Sequence, residues 1–451
     1  MNLSIGNPRI SSPRVVMIAG IVILSSLFFS LGGCRPSSSQ PVTLTVLDPE
    51  WSQPNEQGPG TYQESEHFTR ETGIRVNHPS VPESTLAQLG LLRRLLQEGS
   101  SPDVLGVDVI WAGSLDQYLV DLRPYFATEL ALLDPQLVAS YTVGGKVVAM
   151  PYHPQVAVLA YRTDLLKEYG YTRPPKTWDE LESMAARIQT GERAKGKKDF
   201  WGYVWQGASG EGLTCNALEW QVSEGGGSIV ENDKTISANN PSAIRAWQRA
   251  AHWIDWISPP SVVAYRELDA MNTWNSGGAA FWRTWQSAYS LTHREGPGIE
   301  ERVGFTSMPG GQSERVGTLG GIALGVSRSS THPQESMNLI RFLVRRELQS
   351  KKDSANANPP DQPAFYDLPL MLDPYAHSAT TNQHRGGVVV RPSIIVGARY
   401  EDFAKSYFEA VHSVLTGEKR APDAAAALEK QLVEITGFKT GPPSKGVPLT
   451  Q

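Results

Sequence analysis

Short apolar segments alternate with longer amphipathic ones in the part of the chain that follows position 41. The apolar segments are rich in Val, Ile and Leu and predict strands, and the third of them is apolar enough to be buried on both faces. The amphipathic segments predict helices, and Leu89, Leu92 and Leu96 fall on one stripe of the second. The strands are expected at 42–47, 74–76 and 103–110, and the helices at 63–73 and 84–99. This alternation predicts an α/β unit with parallel strands.

A second α/β series begins near residues 147–151. Thr177 and Glu180 have the spacing of a capping box, which predicts a helix that begins there. A glycine-containing strand is expected at 317–326. Further helices are expected at 177–189, 241–257, 334–347, 402–416 and 422–436. Two α/β series in one chain indicate two structural units.

The N-terminus has a different pattern. Arg9 and Arg14 precede an uncharged apolar run at 15–31, which is followed by small residues, as in a secretory signal. Residues 31–34, LGGC, resemble the bacterial lipobox, whose cysteine is lipidated and becomes the mature N-terminus. We therefore expect a signal peptide at 1–33, a lipid anchor on Cys34 and a polar tether at 34–40. A retained transmembrane helix and conventional cleavage are the alternatives.

Composition narrows the function class. The 451 residues include 41 Lys and Arg against 46 Asp and Glu, a formal net charge of −5, and no basic region typical of nucleic-acid binding. Loss of residues 1–33 removes Arg9 and Arg14, so the mature charge is −5 − 2 = −7, which suits an uncharged or cationic ligand. The two cysteines cannot form a disulfide framework. With Cys34 lipidated, Cys215 is expected to be a buried structural thiol.

Tryptophan is concentrated in one stretch, because nine of the twelve indoles fall between Trp201 and Trp285. Most should be core anchors, but together they also suggest apolar platforms for sugar rings. The sequence has no H-E-x-x-H and no G-x-S-x-G motif, and its nine histidines are scattered singly. We expect no catalytic residues, no metal site and no cofactor.

Several motifs occur in order along residues 42–436. They are 161–166 (YRTDLL), 174–178 (PPKTW), 201–207 (WGYVWQG), 211–219 (EGLTCNALE), 278–281 (GAAF) with Trp285, and 318–321 (TLGG). In these motifs the chain resembles the sugar-binding lipoproteins of ABC importers, extracellular solute-binding protein family 1, and especially its trehalose/maltose-binding branch.

The resemblance implies a two-lobed periplasmic-binding-protein fold of type II, in which crossing hinge strands join the lobes and the ligand binds in the cleft between them. One lobe would comprise 41–153 and 316–352, and the other 154–315 and 353–451. It also implies a monomer, exported to the periplasm or cell surface, that binds a di- or oligosaccharide and delivers it to a membrane permease.

Site residues follow from the same resemblance. Asp108 would accept hydrogens from sugar hydroxyls, Trp285 would stack on a sugar ring, and Arg391 would grip hydroxyls. Gly320 and Gly321 would allow the backbone to approach the sugar. Gln155 and Glu50 complete the predicted ligand-binding set.

The chain departs from the branch pattern at three positions. Gln155 replaces an acid, His153 replaces an aromatic hydroxyl and Ile322 replaces a tryptophan. These changes leave the carbohydrate class but do not identify the sugar. Two alternatives stay open: an exported carbohydrate-processing enzyme, for which Asp48 and Glu50 are a candidate carboxylate pair, and a sugar-sensing lipoprotein without a transport role.

Overall fold

The computed structural model describes residues 41–48, 59–82, 85–100, 102–288, 302–357 and 387–444. Three predictions concern residues outside these ranges: the export signal at 1–33, the tether at 34–40 with its lipidated Cys34, and the ligand-binding role of Glu50.

Thirteen strands lie in these described ranges. They are β1 (Thr43–Leu47), β2 (Arg75–Asn77), β3 (Val104–Asp108), β4 (Thr142–Val143), β5 (Lys146–Val147), β6 (Met150–Arg162), β7 (Trp201–Val204), β8 (Thr235–Ile236), β9 (Ala279–Trp285), β10 (Val303–Ser307), β11 (Val316–Val326), β12 (Gly387–Val389) and β13 (Lys439–Thr440). The first three strands are confirmed within a few residues. β1 pairs in parallel with both β2 and β3, as the alternating pattern predicts.

The described residues also form fourteen α-helices. They are α1 (Pro59–Thr72), α2 (Thr85–Gln97), α3 (Ala112–Leu115), α4 (Arg123–Leu130), α5 (Pro135–Ala139), α6 (Thr163–Glu168), α7 (Trp178–Ala194), α8 (Glu211–Ser223), α9 (Pro241–Trp253), α10 (Glu267–Asn275), α11 (Pro333–Ala357), α12 (Ser393–Val396), α13 (Tyr400–Leu415) and α14 (Ala421–Thr436). Within the described ranges, none has the length and apolar character needed to cross a membrane.

Local signals explain several helix ends. The Thr177 side chain accepts the backbone N–H of Glu180, so the predicted cap of α7 is confirmed. The helix expected at 241–257 ends earlier, at Trp253. The backbone is extended at Ile254 and Asp255 has a φ of +61°, after which the Ile257 carbonyl accepts the backbone N–H of Tyr203 in β7. Local periodicity alone could not show this.

Nine strands form one mixed sheet in the order β2-β1-β3-β11-β6-β9-β7, with β12 beside β11 and β10 beside β6. The two long central strands change partners part way along. β11 pairs with β12 over 316–318 and with β3 over 322–326. β6 pairs with β11 up to residue 156 and with β9 from residue 157. The predicted α/β fold with crossing strands is therefore confirmed.

Two clusters of buried apolar side chains support this sheet. The smaller cluster packs α11 against β1, β3 and the end of β11, and its members include Leu44, Val46, Val104, Leu324, Ile340 and Leu343. The larger cluster continues along β6 and β9 into α7, α8, α9 and α13. The predicted buried thiol, Cys215, lies in α8 with only 2% of its surface exposed.

Most of the concentrated tryptophans serve the core. Five of the nine indoles between 201 and 285 are at most 1% exposed: Trp205, Trp220, Trp247, Trp253 and Trp274. Trp111 and Trp178, outside this stretch, are equally buried. Trp178, Trp205 and Trp220 surround Trp253 with ring centroids 5.4 to 6.4 Å from its own. Trp285 is only half-buried, which leaves part of its ring accessible.

Candidate functional site

The predicted site residues come together where β11 and β6 change partners. Asp108 ends β3 opposite Ile322 of β11. Gly320 of β11 lies opposite Gln155 of β6, and Trp285 at the end of β9 lies opposite the next part of β6. Six of the seven predicted residues are therefore gathered at the crossing strands, and Glu50 lies outside the described ranges.

Arg391 is the charged centre of this cluster. It follows β12, is 5% exposed, and donates from Nη1 to Oε2 of Glu211 at 3.0 Å. Its Nη2 lies 3.7 Å from Oδ1 of Asp108 and donates to the Leu319 carbonyl at 3.4 Å. Its buried Nε has no hydrogen-bond partner among the described residues. The guanidinium therefore joins two carboxylates.

Short loops hold these groups in place. Arg391 precedes Pro392, which favours extended backbone before the turn into α12. At the start of that turn, the Ser393 hydroxyl donates to the Val109 carbonyl at 3.3 Å, immediately after β3. Glu211 is the first residue of α8, where the helix dipole favours a negative charge. The loops after β3 and β12 are thus bonded to each other beside the site.

Burial governs the ionisation of the cluster. It raises the pKa of both Asp108 and Glu211 above their ordinary values, although the Arg391 charge acts in the opposite direction. Burial would lower the pKa of Arg391, but the acidic groups around it hold that pKa well above its usual range. Burial also raises the pKa of the nearby Cys215 thiol to about 12, so the thiol is protonated at neutral pH.

Trp285 forms the apolar part of the site. Its indole Nε1 donates to Oε1 of Glu267, the first residue of α10, at 2.7 Å. The guanidinium carbon of Arg283 lies 4.3 Å from the indole ring centroid, in the geometry of a cation–π contact. Both contacts fix the orientation of the ring at the end of β9.

Packing and backbone conformation within the fold explain why two positions of β11 are glycines. A Cβ on Gly320 would lie 2.9 Å from Cζ3 of Trp285, so the glycine lets the indole pack on the strand. Gly321 has a φ of +104°, and a Cβ there would collide with the His153 carbonyl. Their expected role in approach of the backbone to a sugar stays a prediction.

Gln155 lies beside the same strands. Its side-chain oxygen accepts the backbone N–H of Ser287 at 2.8 Å, which ties the segment after β9 to β6. The amide therefore has a bracing contact in addition to its predicted ligand role.

Sequence reasoning missed three contributors: Glu211, Glu267 and Arg283. Glu211 opens one of the motifs that carry the family resemblance, so that motif could have directed attention to it. Glu267 and Arg283 are far from each other in sequence and are recognisable only through their contacts with Trp285.

Taken together, the cluster offers carboxylate acceptors, a guanidinium donor and a half-buried indole. This combination suits a ligand with many hydroxyl groups and an apolar ring face. Within the described ranges, no three His, Cys, Asp or Glu side chains converge as a metal site would require.

Comparison with known proteins identifies the family of this chain. The family model for bacterial extracellular solute-binding proteins matches residues 51–350. A protein of Deinococcus radiodurans named "Probable ABC transporter-binding protein" is 38% identical over 373 residues, which cover 82% of this chain and 89% of that protein.

Solved structures extend the similarity to the fold. Maltose-bound MalE3 of T. maritima is 30% identical, has a TM-score of 0.73 and is covered over its full length by 87% of this chain. A tagatose-bound ABC transporter solute-binding protein from Thermotoga lettingae, 20% identical, has a TM-score of 0.72, with 88% of this chain and 100% of that chain covered. The predicted two-lobed fold is therefore confirmed, and the chain belongs to the bacterial extracellular solute-binding protein family.

Proposed function

We propose that this protein is the extracytoplasmic substrate-binding lipoprotein of an ABC importer and that it binds a di- or oligosaccharide between its lobes. The observation that carries the proposal is the meeting of Asp108, Arg391 and Trp285 at the crossing strands. The Asp108 carboxylate and the Arg391 guanidinium can form hydrogen bonds with sugar hydroxyl groups, and the Trp285 indole can stack on the face of a sugar ring. The maltose bound to the T. maritima relative supports the same ligand class.

The proposed lobes keep the predicted limits, 41–153 with 316–352 and 154–315 with 353–451. Strand pairing supports a lobe boundary near β11, because its second half pairs with β3 and its first half with β12. Asp108 would belong to the first lobe, and Trp285 and Arg391 to the second. A sugar that contacts all three favours the closed form, which the permease would then recognise.

The proposal includes anchoring of the mature chain by lipid on Cys34, with release of residues 1–33. The family is extracellular, which supports export. The LGGC sequence supports lipidation at Cys34. In a bacterium fed an alkyne-tagged fatty acid, the full chain should incorporate the tag and Cys34→Ala should not. Absence of the tag from the unaltered chain would contradict the anchor.

A saccharide panel tests the binding function. Calorimetry and thermal unfolding should identify at least one neutral di- or oligosaccharide that binds, with about 2.7 kcal/mol of added stability at one hundred times its Kd. If no sugar binds, the proposed function is wrong. Release of sugar products by the purified protein would instead favour a carbohydrate-processing enzyme.

Matched tryptophan variants test the site. Trp285→Ala should weaken sugar binding about 30-fold, which corresponds to about 2 kcal/mol for a central aromatic contact. Trp256→Ala is the control, because Trp256 is 36% exposed and its ring packs on His252, 4.8 Å away between centroids. If the two variants bind the sugar with equal affinity, Trp285 does not contact the ligand.

A further inference from the structure

Behind the site, a glutamate and an arginine form an ion pair that is completely buried. Arg283 of β9 and Glu219 of α8 both have 0% side-chain exposure. Arg283 donates from Nη2 to Oε1 at 2.6 Å and from Nε to Oε2 at 3.2 Å, a bidentate arrangement. A buried ion pair is weak evidence for stability, because well-packed apolar residues often serve as well. The pair therefore calls for another role.

Each partner of this pair also contacts a functional element. The guanidinium of Arg283 lies against the Trp285 ring. Oε1 of Glu219 accepts the backbone N–H of Thr318 at 3.2 Å, and Thr318 belongs to the crossing strand β11. The Thr318 hydroxyl in turn donates to the Cys215 carbonyl of α8 at 3.1 Å. The pair thus connects the indole, the helix and the crossing strand.

The same strand meets Trp285 a second time. Gly320, two residues after Thr318, packs directly against the six-membered ring of the indole. The ring therefore contacts β11 directly through Gly320 and indirectly through Arg283 and Glu219. A change in the course of β11 between these residues would be transmitted to the indole by both routes.

We propose that Glu219 and Arg283 are positioning residues that hold Trp285 as the sugar-stacking surface and tie its orientation to the crossing strand β11. The role rests on the proposed sugar-binding function. Arg283 need not touch the ligand, because its side chain is completely buried. The flat guanidinium is required, since a lysine would keep the charge but lose both the fork and the stacking plane.

Fluorine NMR of the full chain labelled with 5-fluorotryptophan tests the positioning without any ligand. The Trp285 resonance is identified by its absence from Trp285→Phe. In Arg283→Lys we expect this resonance to shift and broaden while the remaining tryptophan resonances change little. An unmoved Trp285 resonance would overturn the proposal. If Arg283→Lys does not fold, the paired variant Glu219→Gln with Arg283→Met removes both charges and repeats the test.

Sugar affinity supplies the second readout. Arg283→Lys should weaken binding about tenfold in the unaltered background and less than twofold in Trp285→Phe, because its effect passes through the indole. If Arg283→Lys weakens sugar binding by the same factor in both backgrounds, the ion pair of Arg283 and Glu219 has only a structural role. A moved resonance in a protein that binds no saccharide would refute the proposed function and leave the positioning intact.

The chain contains a matched control for both readouts. Arg341 pairs with Glu129 at 3.2 Å and lies 4.8 Å from the ring centroid of Phe126, within the smaller apolar cluster. Arg341→Lys should leave the Trp285 resonance and the sugar affinity unchanged. An equal effect of this variant would overturn the assigned role of Arg283.

Discussion

Arg283 and Arg391 are both buried at the candidate site, yet their surroundings differ. Arg283 is held by both carboxylate oxygens of one glutamate and lies 3.4 Å from the side-chain oxygen of Gln206. Arg391 has one short carboxylate contact, a 3.7 Å approach to Asp108, and an Nε without a partner among the described residues. All three guanidinium nitrogens of Arg283 donate to neighbours, whereas in Arg391 only the two terminal nitrogens do, to Glu211 and to the Leu319 carbonyl. The carboxylates beside Arg391 are 20% and 10% exposed, whereas Glu219 beside Arg283 is completely buried, so a ligand can reach the first cluster but not the second.

The largest expected effect separates the two arginines by stability. Arg283→Met leaves Glu219 buried without its counter-ion, which should lower the free energy of unfolding by about 3–5 kcal/mol. Arg391→Met should cost only about 1–2 kcal/mol, because side chains of Asp108 and Glu211 are 20% and 10% exposed. Urea unfolding measures both. Equal losses would mean that the two arginines do the same work.

The next prediction compares how two carboxyl groups, Asp108 in the site and Glu192 outside it, change protein stability with pH. Glu192 is buried, which raises its pKa, but hydrogen bonds from Lys195, Lys197 and Tyr169 outweigh burial and lower that pKa to about 2. Its contribution to stability is present above about 4.5 and is lost as the pH falls toward 2. Asp108 has a raised pKa, so its contribution is present below about 3.8 and is lost as the pH rises.

At pH 7, therefore, Glu192→Gln should destabilise the unliganded protein and Asp108→Asn should stabilise it. For Glu192 the loss should be about 1–2 kcal/mol, reduced by solvent screening because both lysines are about half exposed. Both differences should shrink toward pH 2. Unfolding measured from pH 2 to 8 checks the signs, and a shared sign at pH 7 would contradict the contrast.

The smallest effect concerns Gly320. In Gly320→Ala the new methyl group would press on the Trp285 ring, so sugar affinity should fall a few-fold. The free energy of unfolding should fall by about 1 kcal/mol, the low end for an overpacked site, because the half-buried ring can shift. Gly90→Ala is the control: it lies in α2 with open space around it and should leave affinity unchanged while raising stability by about 0.5–1 kcal/mol. An unchanged affinity in Gly320→Ala would show that the indole position does not matter for binding.

How much of the site was predictable depended on the kind of contact. Asp108, Gln155, Trp285 and Arg391 were predicted from the family resemblance, and the structure brings them together. Arg283 was missed although it stands two residues before Trp285. Its partner Glu219 is 64 positions away, and no local sequence pattern predicts a contact between residues so far apart.

The sequence by itself determined the α/β class, the parallel pairing of the first strands, the cap at Thr177 and the family, because periodicity, capping and motifs act over short separations. Tertiary structure decided where α9 ends, why a side chain on Gly320 would meet Trp285, and which of the two arginines lies beside partly exposed carboxylates. These properties depend on groups that meet only after the two central strands exchange their partners, so their cause is spatial and not sequential.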